Sequence, residues 1–122
     1  MKTKKLNRVF LEEVLKQRIE QIYSQQLKQE PKEIKVYFSE QNIIVIIEGI
    51  VTKTEIFLQE NSQHFLAKQV RSVLNRFIKS ELKILIEEAM KVTVVDLLFK
   101  AKVDTDRLGA IVIFDIESNS VV

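Results

Sequence analysis

No cysteine occurs in the 122 residues of this chain. That absence removes disulfides, thiolate metal sites and thiol nucleophiles together, and leaves packing alone to hold the fold. Glycine occurs twice and proline once, too few for the glycine-rich loops that cradle phosphates or dinucleotides. The one histidine, His64, has no serine, cysteine or acidic residue at a spacing that would define a triad. Lys, Glu and Gln break the apolar stretches well before the ~20 residues needed to cross a bilayer. Neither sign of charge dominates: 19 basic residues against 17 acidic give +2, without the surplus that strong phosphate neutralisation requires.

What is present is an ordinary quantity of apolar sequence, 46% of the residues, in a length that suits one domain closing a single core. The opening MKTKKLNRVFLEE is basic, but acidic residues stand where a signal peptide needs its apolar stretch, and no small-residue cleavage site follows. The expectation is a cytoplasmic protein without direct membrane insertion.

Apolar residues from Phe10 and Leu11 through Val14, Leu15, Ile19, Ile22 and Tyr23 to Leu27 follow the three-and-four spacing of a helix over 9–27. Pro31 ends it and turns the chain toward extended geometry. IKVYF (34–38), the turn SEQN (39–42) and the run NIIVIIEGIV then predict a hairpin. Ile43 to Ile47 is apolar on both faces, so the strand is either covered on each side or lends one face to a partner subunit. In EGIVTKTE, Thr52 and Glu55 have capping-box spacing and open a short helix that Asn61 and Ser62 interrupt. A long helix follows, its stripe running from Phe65, Leu66, Val70, Val73 and Leu74 through Phe77 to Ala89. In 92–103, Leu97, Phe99, Ala101 and Val103 alternate with Lys100 and Lys102, as in a half-exposed strand. DTDRLG turns the chain into a last strand over 110–116, and 117–122 is a polar tail expected to fray, like the basic arm 1–8.

The order gives two αββ units, with VLKQRIEQIY and VLNRFIKSEL opening alike. The fold class expected is α+β: one four-stranded antiparallel sheet with helices packed on one face.

Candidate sites are few. Glu81, Glu87 and Glu88 could be ligands or an acid–base group, but adjacent helical positions point about 100° apart, and no third ligand is evident. Asp96 interrupts an apolar strand, where a buried carboxylate would be costly, so a place at a sheet edge fits better. Asp104 and Asp106 suit a turn. His64 is expected at the surface, and Lys2, Lys4, Lys5 and Arg8 form a short solvated arm.

IKVYFSEQNIIVIIEGIVTKTE, LAKQVRSVL and ELKILIEEAMKVTVV, in that order, resemble a small bacterial family called MpsC-like. Lys35, Val36 and Tyr37 match its first strand, Gly49, Thr52 and Glu55 its capping segment, Arg71 its helix arginine, and Ile111, Val112, Ile113 and Phe114 its last strand. The resemblance covers about 14–116. The chain departs where relatives carry Gly-Lys-Gly-Pro (here Lys28, Gln29, Glu30, Pro31), an arginine (Ile46), a proline (Lys53) and a glycine (Met90). Some members form the third component of a membrane-potential-generating system linked to sodium and inorganic-carbon transport, beside an antiporter-like membrane subunit. The resemblance therefore implies a non-catalytic accessory or interaction protein, peripheral to the inner face of the plasma membrane. Its expected partners are a second copy of itself and an integral membrane transporter subunit. Cofactors, metals and nucleic acid are not expected, and Gly49, Thr52, Glu55 and Arg71 are expected to be structural. The alternatives are a nucleic-acid-binding module, with Tyr37 as its stacking residue, or an enzyme using Asp96 or Glu81, Glu87 and Glu88.

Overall fold

The computed structural model describes residues 2–116; the tail 117–122 lies outside them. Helix α1 (Lys2–Gln21) continues into one wide π-helical turn, Ile22–Gln26, and ends at Leu27. It begins earlier than the apolar stripe predicts, with helical backbone through the basic arm. Strands β1 (Glu33–Phe38) and β2 (Asn42–Glu48) form the first hairpin. Helices α2 (Lys53–Glu60) and α3 (His64–Met90) follow, then β3 (Val92–Lys102) and β4 (Arg107–Ile116). β4 starts three residues before the expected Ala110, because the turn occupies only 103–106.

The sheet is antiparallel throughout, in the order β1-β2-β4-β3. The two hairpins therefore join along β2 and β4, from Asn42↔Ile113 to Glu48↔Arg107. This is the α+β sheet of two αββ units that the element order implies. Alternation sends Ile34, Val36, Ile43, Val45, Ile47, Leu108, Val112 and Phe114 toward the helices, where all are buried. Leu15 and Ile19 of α1, Tyr23 of the π-helical turn and Ile78, Leu82, Leu85 and Ile86 of α3 close over them. Each such side chain contributes about 1.5–3 kcal/mol by leaving water. Glu12 of α1 accepts from the Phe38 N–H at 3.0 Å and so fixes the helix against the end of β1.

Two apolar stretches are covered only in part. β2 lies inside the sheet but is covered on one side only: Ile44 is exposed and Ile46 half-buried on the opposite, open face. In α3 the stripe is core only in its second half. Phe65, Leu66 and Val73 are exposed, and the buried residues of the first half are Ala67 and Arg71. The first half of α3 packs beside α2 through Ala67 and Arg71, while Phe65, Leu66 and Val73 point away from that contact into solvent.

Candidate functional site

β2 ends in a loop that three separate segments hold. Gly49 adopts φ +84°, and a Cβ there would stand 2.7 Å from the Lys32 nitrogen, which donates to the Glu48 carbonyl at 2.8 Å. Only glycine fits both the left-handed backbone and this approach. The Gly49 N–H donates to the Asp106 carbonyl at 2.9 Å, and the Asp106 carboxylate accepts from the Val51 N–H at 2.8 Å. Gln29, beyond the π-helical turn, donates its amide to the carbonyls of Gly49 (2.9 Å) and Val51 (3.1 Å).

Thr52 then caps α2. Its hydroxyl oxygen accepts from the Glu55 N–H at 3.2 Å, and the Glu55 carboxylate accepts from the Thr52 N–H at 2.9 Å, both halves of a capping box. The same carboxylate, 2% exposed, takes a two-pronged contact from Arg71 of α3: Nε to Oε2 at 2.8 Å and Nη2 to Oε1 at 2.6 Å. Arg71, 8% exposed, also donates to the Ile50 carbonyl at 3.0 Å and to Asn75 at 3.3 Å. Two planar groups in matched geometry make this the strong form of ion pair. Gly49, Thr52, Glu55 and Arg71 are thus brought together as one joint between loop, α2 and α3.

A cavity of about 470 Å³ opens between α2 and α3 beside this joint, walled by Val51, Ile56, Ala67 and Val103, with Glu55 and Arg71 also on its lining. The Tyr23 hydroxyl and Gln29 Oε1 are buried without a hydrogen-bond partner among the described residues. Burial pushes the Tyr23 phenol well above its ordinary value; the Arg71 charge lowers it in part, and the Glu55 charge raises it. Chemically, the Glu55–Arg71 pair at the joint is satisfied, with both Glu55 oxygens occupied.

The other candidates stay apart. His64 is exposed and bonds the Gln59 side chain. Glu87 accepts from the Val94 N–H at 3.0 Å, tying the end of α3 to β3, while Glu88 pairs with Arg18 of α1 at 3.0 Å across an exposed surface. Glu81 is half-buried. Asp96 is exposed on β3, an edge strand, beside a bulge between Val94 and Asp96. Among the described residues no group of three or more His, Cys, Asp or Glu side chains could hold a metal ion. Sequence reasoning named Glu55 and Arg71 without pairing them, placed Asp106 in the turn without its bond to the loop after β2, and read Tyr23 only as part of an apolar stripe. The available signal was Arg71 itself, which falls four residues after Ala67 and seven before Ile78, on the buried side of α3.

On the open sheet face, register places Tyr37, Ile44, Ile111 and Leu98 in one row across all four strands. They are 48, 37, 40 and 51% exposed. Gly109, one row along between Ile46 and Lys100, leaves a hollow. Tyr37 is the sole aromatic on this face among the described residues. A second apolar surface is a shallow groove on the first half of α3, lined by Leu66, Gln69, Val70, Val73 and Leu74. No described helix is long and apolar enough to cross a membrane.

A family model described as "Na+-translocating membrane potential-generating system (MpsC)" matches residues 7–116. No curated protein and no solved structure matches the chain. With nearly its whole length matched, the chain belongs to the MpsC family.

Proposed function

We propose that this protein is a non-catalytic accessory subunit that acts as a homodimer and docks on a membrane-embedded component of a sodium-linked, membrane-potential-generating system. The observation that carries the reading is the pair of separate apolar surfaces, one on the open sheet face and one on the first half of α3. Exposed apolar area of this kind serves contact with other proteins. Three of the carboxylates, by contrast, are spent on structure: Glu55 with Arg71, Glu87 with β3, Asp106 with the loop after β2. The family description supplies the sodium-linked membrane system.

The groove of α3 is the surface assigned to the membrane component, since Leu66, Val70, Val73 and Leu74 recur at the spacing by which one helix lies against another. The test is co-purification of the tagged protein with membranes from its own host. Wild-type protein is expected to sediment with the membrane fraction and to bring down one polytopic subunit after detergent extraction. Val73→Lys and Leu66→Lys, at exposed positions, are expected to release it while leaving the fold intact. Wild-type protein that stays wholly in the supernatant would overturn the docking role.

A further inference from the structure

The open sheet face carries more than an apolar row: its charges are arranged to match a second copy of itself. Rows follow from the strand register. On one side of the Tyr37, Ile44, Ile111, Leu98 row lie Lys35, Ile46, Gly109 and Lys100; on the other lie Asn42, Ile113 and Asp96. One step further out, Glu33, Glu48, Arg107 and Lys102 stand in a row at one end of the face, and Asp115 and Thr93 at the other. On β3 and β4 the cations are thus on one side of the apolar row and the anions on the other, at equal distances. The bulge in β3 contributes to this. It inserts Val95 before Asp96, so that Asp96 faces the open side opposite Ile113 instead of turning toward the helices.

We infer that a second copy of the chain binds this face about a two-fold axis running across the strands, along the Tyr37, Ile44, Ile111, Leu98 row. This rests on the homodimer reading above and adds its surface and its symmetry. About that axis each residue of the central row meets its own counterpart. Lys100 lies over the partner subunit's Asp96, Arg107 over the partner subunit's Asp115, and Ile113 over the hollow at the partner subunit's Gly109. Each contact occurs twice, as an isologous interface requires. Lys100, Asp96 and Asp115 form no ion pair within the described part of the chain, so the contact supplies partners for charges that otherwise have none.

The competing axis, parallel to the strands, lays Lys35 over the partner subunit's Lys100. That axis also lays Glu33 over the partner subunit's Lys102 and Glu48 over the partner subunit's Arg107. Glu33 and Glu48 already have cations within the chain, Lys35 at 3.8 Å and Arg107 at 3.7 Å, whereas Lys100 and Asp96, matched by the first axis, have no ion pair of their own among the described residues. Like charges set opposite one another select against that arrangement. Three of the five rows cross all four strands, one crosses three and one two, so the rows that overlap about this axis cover roughly 450 Å² per copy, or about 900 Å² in total, the size of a weak, reversible association. The angle of about 30° between packed sheets displaces edge residues by only a few ångströms, within reach of a lysine side chain.

Light scattering combined with analytical ultracentrifugation tests this on the full chain. Lys100→Asp sets two carboxylates together on each side of the central row at the β3 edge, and Asp96→Lys sets two ammonium groups together there. Each is expected to weaken the dimer by ~10-fold or more. Mixing the two variants is expected to restore dimers, now mixed ones, because each chain supplies the charge the other lost; circular dichroism confirms that both fold. If the wild type is a monomer at all concentrations, this assignment and the homodimer reading fall together. If it dimerises but Lys100→Asp tightens the dimer, the strand-parallel axis is right. If both variants dimerise as the wild type does while Val73→Lys abolishes dimers, the interface is on α3, and only the homodimer reading survives.

Discussion

Glu55 and Arg71 gain their energy from each other, so removing either alone is costly. Arg71→Met leaves the Glu55 carboxylate buried without its counter-charge and is expected to lower unfolding free energy by about 3–5 kcal/mol. Glu55→Gln leaves a buried guanidinium in the same condition. The double replacement should cost less than the sum of the two, by about 1–3 kcal/mol, because neither orphan remains. Urea denaturation at one fixed protein concentration measures all three. Tyr23 gives a separate expectation with a definite sign. Burial raises its folded value above the ordinary 10.0, so the neutral phenol stabilises the fold below pH about 10, and that contribution is lost as pH rises toward the folded value. Above pH about 10 the unfolded chain releases this proton first and stability falls. Tyr23→Phe also removes a buried hydroxyl with no partner, which costs about 1–3 kcal/mol where it is unsatisfied. The variant should be at least as stable as the wild type near neutral pH, and its advantage should grow by about 1 kcal/mol at pH ~11. Urea midpoints at the two pH values check this, and an advantage that shrinks with pH would contradict it.

Helix α3 shows where periodicity stops being informative. Its spacing marks an apolar stripe along the full length, yet only Ile78 to Ile86 lies over the sheet, while Phe65, Leu66 and Val73 face water. A stripe says which residues share a side; it does not say how far the neighbouring layer extends. The same limit applies to β2, whose two-sided apolar pattern indicated a cover on the second face without saying whether it belongs to this chain. Leu82→Ala is therefore expected to cost about 2–5 kcal/mol, and Val73→Ala less than about 0.5 kcal/mol, in the same denaturation experiment. Equal costs would mean that the first half of α3 is packed after all. Local signals were the more legible. Thr52 and Glu55 specify the start of α2, Asn61 and Ser62 its end, and Pro31 the passage into β1, because each acts within a few residues of itself. The joint was legible as a set of positions but not as a contact. Sixteen residues separate Glu55 from Arg71, and only the packing of α2 against α3 brings them together.

The two αββ units share everything that would stabilise either alone. β2 and β4 are both interior strands, hydrogen-bonded on each side, and their seam joins Asn42 through Glu48 to Ile113 through Arg107. Val45, Ile47, Leu108 and Val112 along that seam are fully buried. A chain cut between Ile50 and Val51 would leave each half with one hairpin, one bared interior edge and a helix covering too little surface. It would also sever the covalent link through the joint that Gln29, Asp106 and Arg71 hold from three directions. Pieces of this size bury too small a fraction of their surface to be stable, and an exposed edge invites association. Residues 1–50 and 51–122, produced separately, are therefore expected to be unfolded or aggregated. Mixed from denaturant, they should recover the circular dichroism of the intact chain, because the β2–β4 seam and the hydrogen bonds from Arg71 to the Ile50 carbonyl and from Gly49 to the Asp106 carbonyl can form between them. A half that gives dispersed amide resonances and a cooperative unfolding transition by itself would show that the unit closes its own core. The internal similarity would then mark two domains placed side by side, and the shared sheet would be a consequence of their contact instead of the condition for their folding.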